Sequence, residues 1–266
     1  MLMAVNIGNS RISVGFFEEN ACRLLLKFQI STDINKTSDE YLALIHSILR
    51  GEETKKEIGG VILSSVVPQL TETVRQTLVR FAGKQPLLVG PGLKTGFPIK
   101  IDSPSELGGD MVANTAAVLH GLKEEGKSKI PALIADLGTV TTLSAINRLG
   151  EYIGCAIVPG VRMSLNMLHG ETAQLPNVML SAPTKAVGKN SQDSVRSGVI
   201  FGNAMMLDGF VGRFAREMNC KAEELALFVT GEYAGAVMDV CKYRFTYDED
   251  LTLKGLYFLY KNTVEE

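Results

Sequence analysis

Two short stretches of this chain share a spacing that suits anion chemistry. Residues 4–15 read AVNIGNSRISVG and residues 134–145 read IADLGTVTTLSA. Each passes from apolar residues to a short polar residue (Asn6 or Asp136), then an apolar residue, a glycine (Gly8 or Gly138) and small polar residues. Backbone N–H groups around such a glycine turn can cradle phosphate oxygens, and a carboxylate ending the strand can hold hydrated Mg²⁺. Either stretch alone reads better as an ordinary hairpin. Their recurrence as an internal repeat favours phosphate binding. A third candidate is Asp110, which precedes the apolar run MVANTAAVL. It suits two roles: a general base that accepts a hydroxyl proton, or the N-cap of a helix.

The elements that must position these residues follow from periodicity and breakers. LMAVNI and ISVGFF read as a hairpin around Gly8, Asn9 and Ser10, with a third strand in CRLLLKFQI. SDEYLALIHSILRG has helical spacing, with Ser38 as a plausible N-cap and the run closing at Gly51. GGVILSSVVP reads as a buried strand, PQLTETVRQTLVRFAG as a helix closed by Gly83, and QPLLVGPG as a short strand. After a turn-rich stretch from Gly92 to Gly109, DMVANTAAVLHGLKEEG is helical, and GKSKIPA marks the boundary between residues 1–126 and 127–266. The second half repeats the opening: three strands in ALIADLGTVTTLSAINRLGEYIGCAIVPG, helices in VRMSLNMLHGETAQL and SVRSGVIFGNAMMLDGFVGRFAREM, a strand in ELALFVTGEY, and a last helix in GLYFLYKNTVEE. A duplicated strand–turn–strand unit in two α/β halves implies two lobes with a cleft between them.

Bulk properties narrow the class. The 266 residues carry a formal net charge of −2 and are 45% hydrophobic, enough for a substantial core and without the basic excess of a nucleic-acid surface. No apolar run approaches the roughly 20 residues that span a bilayer. MLMAVNIGNS lacks a basic region and a cleavage site, so no signal peptide is expected. Cys22, Cys155, Cys220 and Cys241 are scattered and read as reduced, mostly buried thiols. The expectation is a cytoplasmic protein without nucleic-acid or membrane partners.

The ordered set of motifs resembles the type III pantothenate kinases. NIGNSRISVGFF resembles the family's D-x-G-N-T phosphate hairpin. GPGLKTGFPIKIDSPSELGGDMVAN resembles its G-P-G-x-K-T-G…D-N-P…G-A-D-R segment, and DLGTVTTLSAIN, GEYIGCAIVPGV and AVGKNSQDSVRSGVIFG resemble its second-half signatures. The resemblance implies two ribonuclease-H-like α/β lobes of the sugar kinase, actin and heat-shock chaperone superfamily. It implies transfer of the ATP γ-phosphate to pantothenate, the first step of coenzyme A synthesis. Mg²⁺, a monovalent cation (K⁺ or NH₄⁺) and a homodimer come with it. By the same resemblance Asp110 is the general base and Asp136 holds the monovalent cation. Asn6, Gly8, Asn9, Ser10, Gly138, Thr139, Thr141 and Thr142 meet ATP and its phosphates. Lys94, Gly96, Gly108, Gly109 and Ser191 line the pantothenate site.

Four positions depart from the family pattern. Asn6 replaces an Asp near the metal, Met111 an Arg after the base, Ile101 a Tyr of the substrate pocket, and Glu232 the second Gly of a T-G-G turn. Two other readings follow from them: a catalytically impaired relative acting as a binding or regulatory module, and a small-molecule kinase with a different acceptor.

Overall fold

The computed structural model describes residues 1–50, 58–181, 183 and 185–264. Their contacts separate into two compact units. One comprises the described residues of 1–97, 102–121 and 251 onward, and the other comprises 98–101 and 122–250.

The first unit is built on a five-stranded sheet. Its strands are β1 (Leu2–Ile7), β2 (Arg11–Phe17), β3 (Leu24–Ser31), β4 (Gly60–Ser65) and β5 (Leu87–Leu88), in the order β3-β2-β1-β4-β5. β1, β2 and β3 pair antiparallel, whereas β4 and β5 run parallel to β1. β5 is shorter than QPLLVGPG suggested, because Pro86 before it and the Gly90–Gly92 turn after it leave few residues to continue the ladder. On one face Met3, Val5, Ile7, Ile12, Val14, Val61 and Leu63 form a core with Tyr41 and Ile45 of α1 (Ser38–Ile48) and Leu70, Val74 and Leu78 of α2 (Pro68–Ala82).

The cap of α1 is Thr37, not Ser38. Thr37 Oγ1 accepts from the Glu40 N–H at 3.3 Å while Glu40 Oε2 accepts from the Thr37 N–H at 2.7 Å. That reciprocal box needs a carboxylate three residues on, which Thr37 has and Ser38, followed by Tyr41, does not. The expected stop at Gly51 lies outside the described residues. α2 does end at Gly83, whose φ of 66° suits glycine.

α3 (Gly109–Glu124) follows, and the division between the units falls near its end. The second unit repeats the first sheet. β6 (Ala132–Leu137), β7 (Val140–Ile146) and β8 (Tyr152–Pro159) pair antiparallel. α4 (Val161–Gly170) and α5 (Ser191–Glu217) precede β9 (Ala226–Thr230), α6 (Ala234–Met238) and β10 (Thr246–Tyr247). The order β8-β7-β6-β9-β10 reproduces that of the first sheet, with β9 and β10 parallel to β6. Even the burial matches: β1 and β6 are buried at every position except the fifth, which is Asn6 in one and Asp136 in the other. α4 stops at Gly170 rather than continuing to Leu175, and α6 and β10 had no clear signal in the sequence. Leu133, Ala135 and Leu137 face Val161, Val199, Leu207 and Val237 of α4–α6.

The last helix, α7 (Leu251–Val264), belongs to the first unit; the final Glu265 and Glu266 of its expected span lie outside the described residues. It pairs with α3 against the face of the first sheet opposite α1 and α2. Thr252 donates to Asn114 Oδ1 at 2.8 Å, and Gly15 of β2 packs on Leu253. Gly255 lies directly on the Ala113 carbonyl, with no room for a Cβ. The cysteines are less buried than expected: Cys155 is exposed and Cys22, Cys220 and Cys241 are half-buried. No described helix is long and apolar enough to cross a membrane. Because the Gly255 contact is backbone to backbone, Gly255→Ala should destabilise the protein by about 2 kcal/mol or more, within the overpacking range. Urea unfolding would show it as a lower midpoint.

Candidate active site

In the first unit the site grows from the carboxyl ends of two parallel strands. Asn6 of β1 is in register with Ser64 of β4 and Ser13 of β2. Side chains alternate along a strand, so these three share the face opposite Val5, Ile7 and Leu63. Asn6 Oδ1 and Ser64 Oγ are both buried without a hydrogen-bond partner. Ser64 was not among the sequence candidates. Its signal was the pair Ser64–Ser65 closing an apolar run, where a parallel strand reaches its ligand-binding end.

α3 begins against this pair. The Val112 N–H donates to the Gly108 carbonyl at 3.1 Å, so Gly108 occupies the cap position and Asp110 lies inside the first turn. The N-cap role for Asp110 is therefore excluded by geometry. A Cβ on Gly109 would lie 2.6 Å from Ser64 Oγ, which brings the first turn of α3 onto the strand end. Asp110 Oδ1 accepts from the Met111 N–H at 2.8 Å. Burial pushes the Asp110 carboxyl above the ordinary aspartate range, partly offset by hydrogen bonds from the Met111 and Asp110 amides. Met111 itself is half-buried.

The first hairpin is closed tightly. The Gly8 N–H donates to the Arg11 carbonyl at 2.9 Å, and Thr32 straps the loop, its hydroxyl donating to Gly8 O at 2.6 Å and its N–H to Ser10 O at 3.1 Å. Asn9 is exposed and Ser10 half-buried at the tip. Lys94 and Gly96 lie on a separate loop. Lys94 is exposed, and Gly96, with a φ of 82°, sits beside Asn262 of α7, whose amide donates to the Thr95 carbonyl at 3.3 Å.

In the second unit Asp136 is in register with Thr142 on β7 and Thr230 on β9. Thr141 pairs with Leu137 instead, so it points to the opposite face from Thr142, where its Oγ1 is buried without a hydrogen-bond partner. Two adjacent threonines that the sequence offered together thus diverge. The Gly138–Thr139 turn is bracketed by two glycines that sequence reasoning did not single out. A Cβ on Gly160, the residue before α4, would meet the Gly138 and Thr139 carbonyls, and Gly231, with a φ of 101°, lies against the Leu137 backbone. Ser191 is the exposed first residue of α5, following the cap Asn190, whose Oδ1 accepts from the Asp193 N–H at 2.8 Å. Glu232 is exposed beyond Gly231, and Ile101 is half-buried.

Among the described residues, no group of three His, Cys, Asp or Glu side chains forms a metal cluster. The donors that do converge are oxygens: Asn6 Oδ1 with Ser64 Oγ in one unit, and the Asp136 carboxylate beside the Thr142 and Thr230 hydroxyls in the other. All-oxygen sets of this kind suit hard cations, Mg²⁺ or an alkali ion, and not thiophilic metals.

A family model described as type III pantothenate kinase matches residues 2–213. The type III pantothenate kinase of Moorella thermoacetica is 36% identical over 264 residues, covering 98% of this chain and 99% of that protein. That of Geotalea uraniireducens is 35% identical over 266 residues, covering all of both chains. Among solved structures, a Campylobacter jejuni protein assigned to the Baf family of transcriptional activators superposes with a TM-score of 0.60 at 17% identity, covering 99% of this chain and 100% of that one. A Sinorhizobium meliloti protein assigned as a 2-dehydro-3-deoxygalactonokinase gives 0.59 at 10% identity, covering 100% and 98%. These two likenesses speak for the fold alone, two α/β units each built on a five-stranded sheet. With sequence similarity along its whole length and the duplicated strand–turn–strand units in place, the chain belongs to the type III pantothenate kinase family.

Proposed function

We propose that this protein transfers the γ-phosphoryl group of ATP to the primary hydroxyl of pantothenate, the first step of coenzyme A synthesis. The observation that carries the reading is Asp110, a half-buried carboxylate with a raised pKa in the first turn of α3, the turn whose Gly109 lies against Ser64. As the acceptor oxygen bonds to the γ-phosphorus and the bond to the bridging oxygen of ADP breaks, Asp110 takes the hydroxyl proton. A carboxylate made more basic by burial is better suited to this than a solvated one.

The remaining roles follow the same reading. The Gly8–Ser10 and Gly138–Thr139 turns, with Thr142, face the ATP phosphates. Lys94, Gly96, Gly108, Gly109 and Ser191 serve the pantothenate site. Asn6 and Ser64 fit the side of the site where hydrated Mg²⁺ would sit, and Asp136 with Thr142 and Thr230 fits a monovalent cation. Bound there, the cations would neutralise charge developing on the phosphates. Residues 1–126 thus supply the base and first hairpin, and residues 127–266 the second hairpin and nucleotide site. A cytoplasmic homodimer belongs to the same proposal.

Asn6 sets a limit on the metal side. Its amide can hydrogen-bond a metal-bound water but contributes no charge. A unit-charge attraction at 4 Å is worth about 4 kcal/mol at an intermediate dielectric.

The reading leads to expected outcomes for activity and for stability. Asp110→Asn should lower kcat by about 10²–10⁴-fold, the usual contribution of a general base. Because burial raises the folded-state pKa, the ionised carboxylate costs stability above that pKa. Asp110→Asn should therefore leave stability at pH 7 unchanged or higher, which thermal unfolding checks. In the wild type, the base is lost as pH falls through the raised pKa, so the acid limb of kcat/KM should lie above the ordinary aspartate range. Asn6→Asp should lower the Mg²⁺ concentration giving half-maximal rate by about tenfold, roughly 1.4 kcal/mol of the available attraction. The added negative charge should also move the acid limb further up. Coupled detection of ADP release with pantothenate as acceptor measures the rates, their pH dependence and their Mg²⁺ dependence. Wild-type protein that forms no phosphopantothenate under these conditions overturns the proposal.

A further inference from the structure

The two neighbouring serines at the end of β4 have different fates. Ser65 Oγ accepts from the Val67 N–H at 3.1 Å and from the Thr71 hydroxyl at 2.8 Å, which fixes the start of α2. Ser64 points to the other face, is completely buried, and has no hydrogen-bond partner for its hydroxyl. Other fully buried polar side chains of this unit are satisfied. Thr77 donates to the Ser38 and Thr73 carbonyls, Thr115 to the Met111 carbonyl, and Asn114 accepts from Thr252. Among the described residues of this unit, the two buried side-chain oxygens without a partner, Ser64 Oγ and Asn6 Oδ1, are register partners on adjacent strands, and Gly109 lies against Ser64. A buried hydroxyl left without a partner is costly, so two such oxygens side by side mark a place built to meet something else.

We infer that Ser64 and Asn6 form one two-oxygen seat for a water of the hydrated Mg²⁺ that accompanies ATP, with Ser64 as a positioning residue. The inference rests on the proposed kinase reading and adds a residue to it. The chemistry fits. The amide oxygen is an acceptor and the hydroxyl is both donor and acceptor, so together they hold a metal-bound water by hydrogen bonds. Mg²⁺ keeps several of its waters when it binds, so such outer contacts are part of its recognition. With Asn6 uncharged, hydrogen bonds carry the orientation that a carboxylate would otherwise supply by charge. A side chain at 109 would collide with the Ser64 hydroxyl, so the glycine there lets the first turn of α3 lie against it.

The test is thermal unfolding of Ser64→Ala and of Ser64→Cys, which keeps the shape but bonds weakly to water. Each is measured without ligand, with ATP in EDTA, and with ATP across a Mg²⁺ titration. Water-proton relaxation of the Mn²⁺–ATP complex gives a second readout. The expected result is an unliganded Tm that is unchanged or raised, because an unsatisfied buried hydroxyl has been removed. Stabilisation by ATP in EDTA should also be unchanged. The Mg²⁺ concentration for half-maximal stabilisation should rise about fivefold, the size of one lost hydrogen bond, with altered relaxation of Mn²⁺–ATP. An unchanged Mg²⁺ dependence, or a fall in unliganded Tm with equal losses in all three conditions, overturns the role given to Ser64 alone. Wild-type protein that Mg²⁺–ATP fails to stabilise overturns the nucleotide reading as well.

Discussion

The structure depends on a single constraint, the burial of a central strand on both faces in each unit. β1 and β6 are sandwiched so completely that every residue but the fifth is buried, and those fifth residues are Asn6 and Asp136. Everything apolar in these strands stabilises the sheet, while the one polar position emerges where the strand ends. Parallel neighbours β4 and β9 end at the same level and add Ser64 and Thr230 in register. Polar oxygens therefore collect where backbone pairing ceases, which is the usual location of ligands in sheets with parallel strands.

The chemical character of the two strand ends differs because their polar residues differ. In the second unit a carboxylate sits between two threonines, a charged all-oxygen set. In the first unit the corresponding side chain is neutral, and the carboxylate in the first turn of α3 is Asp110. Its pKa is raised by burial, which a second carboxylate at Asn6 would push further. An amide at that position leaves Asp110 less crowded by like charge, at the expense of attraction for a cation.

Much of this was legible in the sequence. The repeated pattern around Gly8 and Gly138 gave both hairpins and, correctly, the same sheet in both units. Gly83 announced the end of α2. Local signals were also present where they were misassigned, since Thr37 and Glu40 spell a capping box one residue ahead of Ser38. What was not legible depends on contacts between distant segments. Gly160 and Gly231 matter because β8 and β9 bring them onto the second hairpin, and Ser64 because α3 closes over it. The divergence of Thr141 from Thr142 follows from strand alternation, but only once β6 fixes the register.

The place of α7 bears on how the protein is made. The first unit contains the earliest residues of the chain, yet one face of its sheet is covered by residues 251–264. During synthesis, β1, β2 and β4 can pair and bury Val5, Ile7 and Leu63 under α1 and α2 long before that helix exists. The opposite face, with Gly15 and Gly60, lacks α7 while the whole second unit is translated, and has only α3 to cover part of it. Domains generally fold as units as they emerge, N-terminal first. Here the N-terminal unit emerges first and is completed last, so a ribosome that stops shortly before residue 251 releases a finished second unit attached to an unfinished first one.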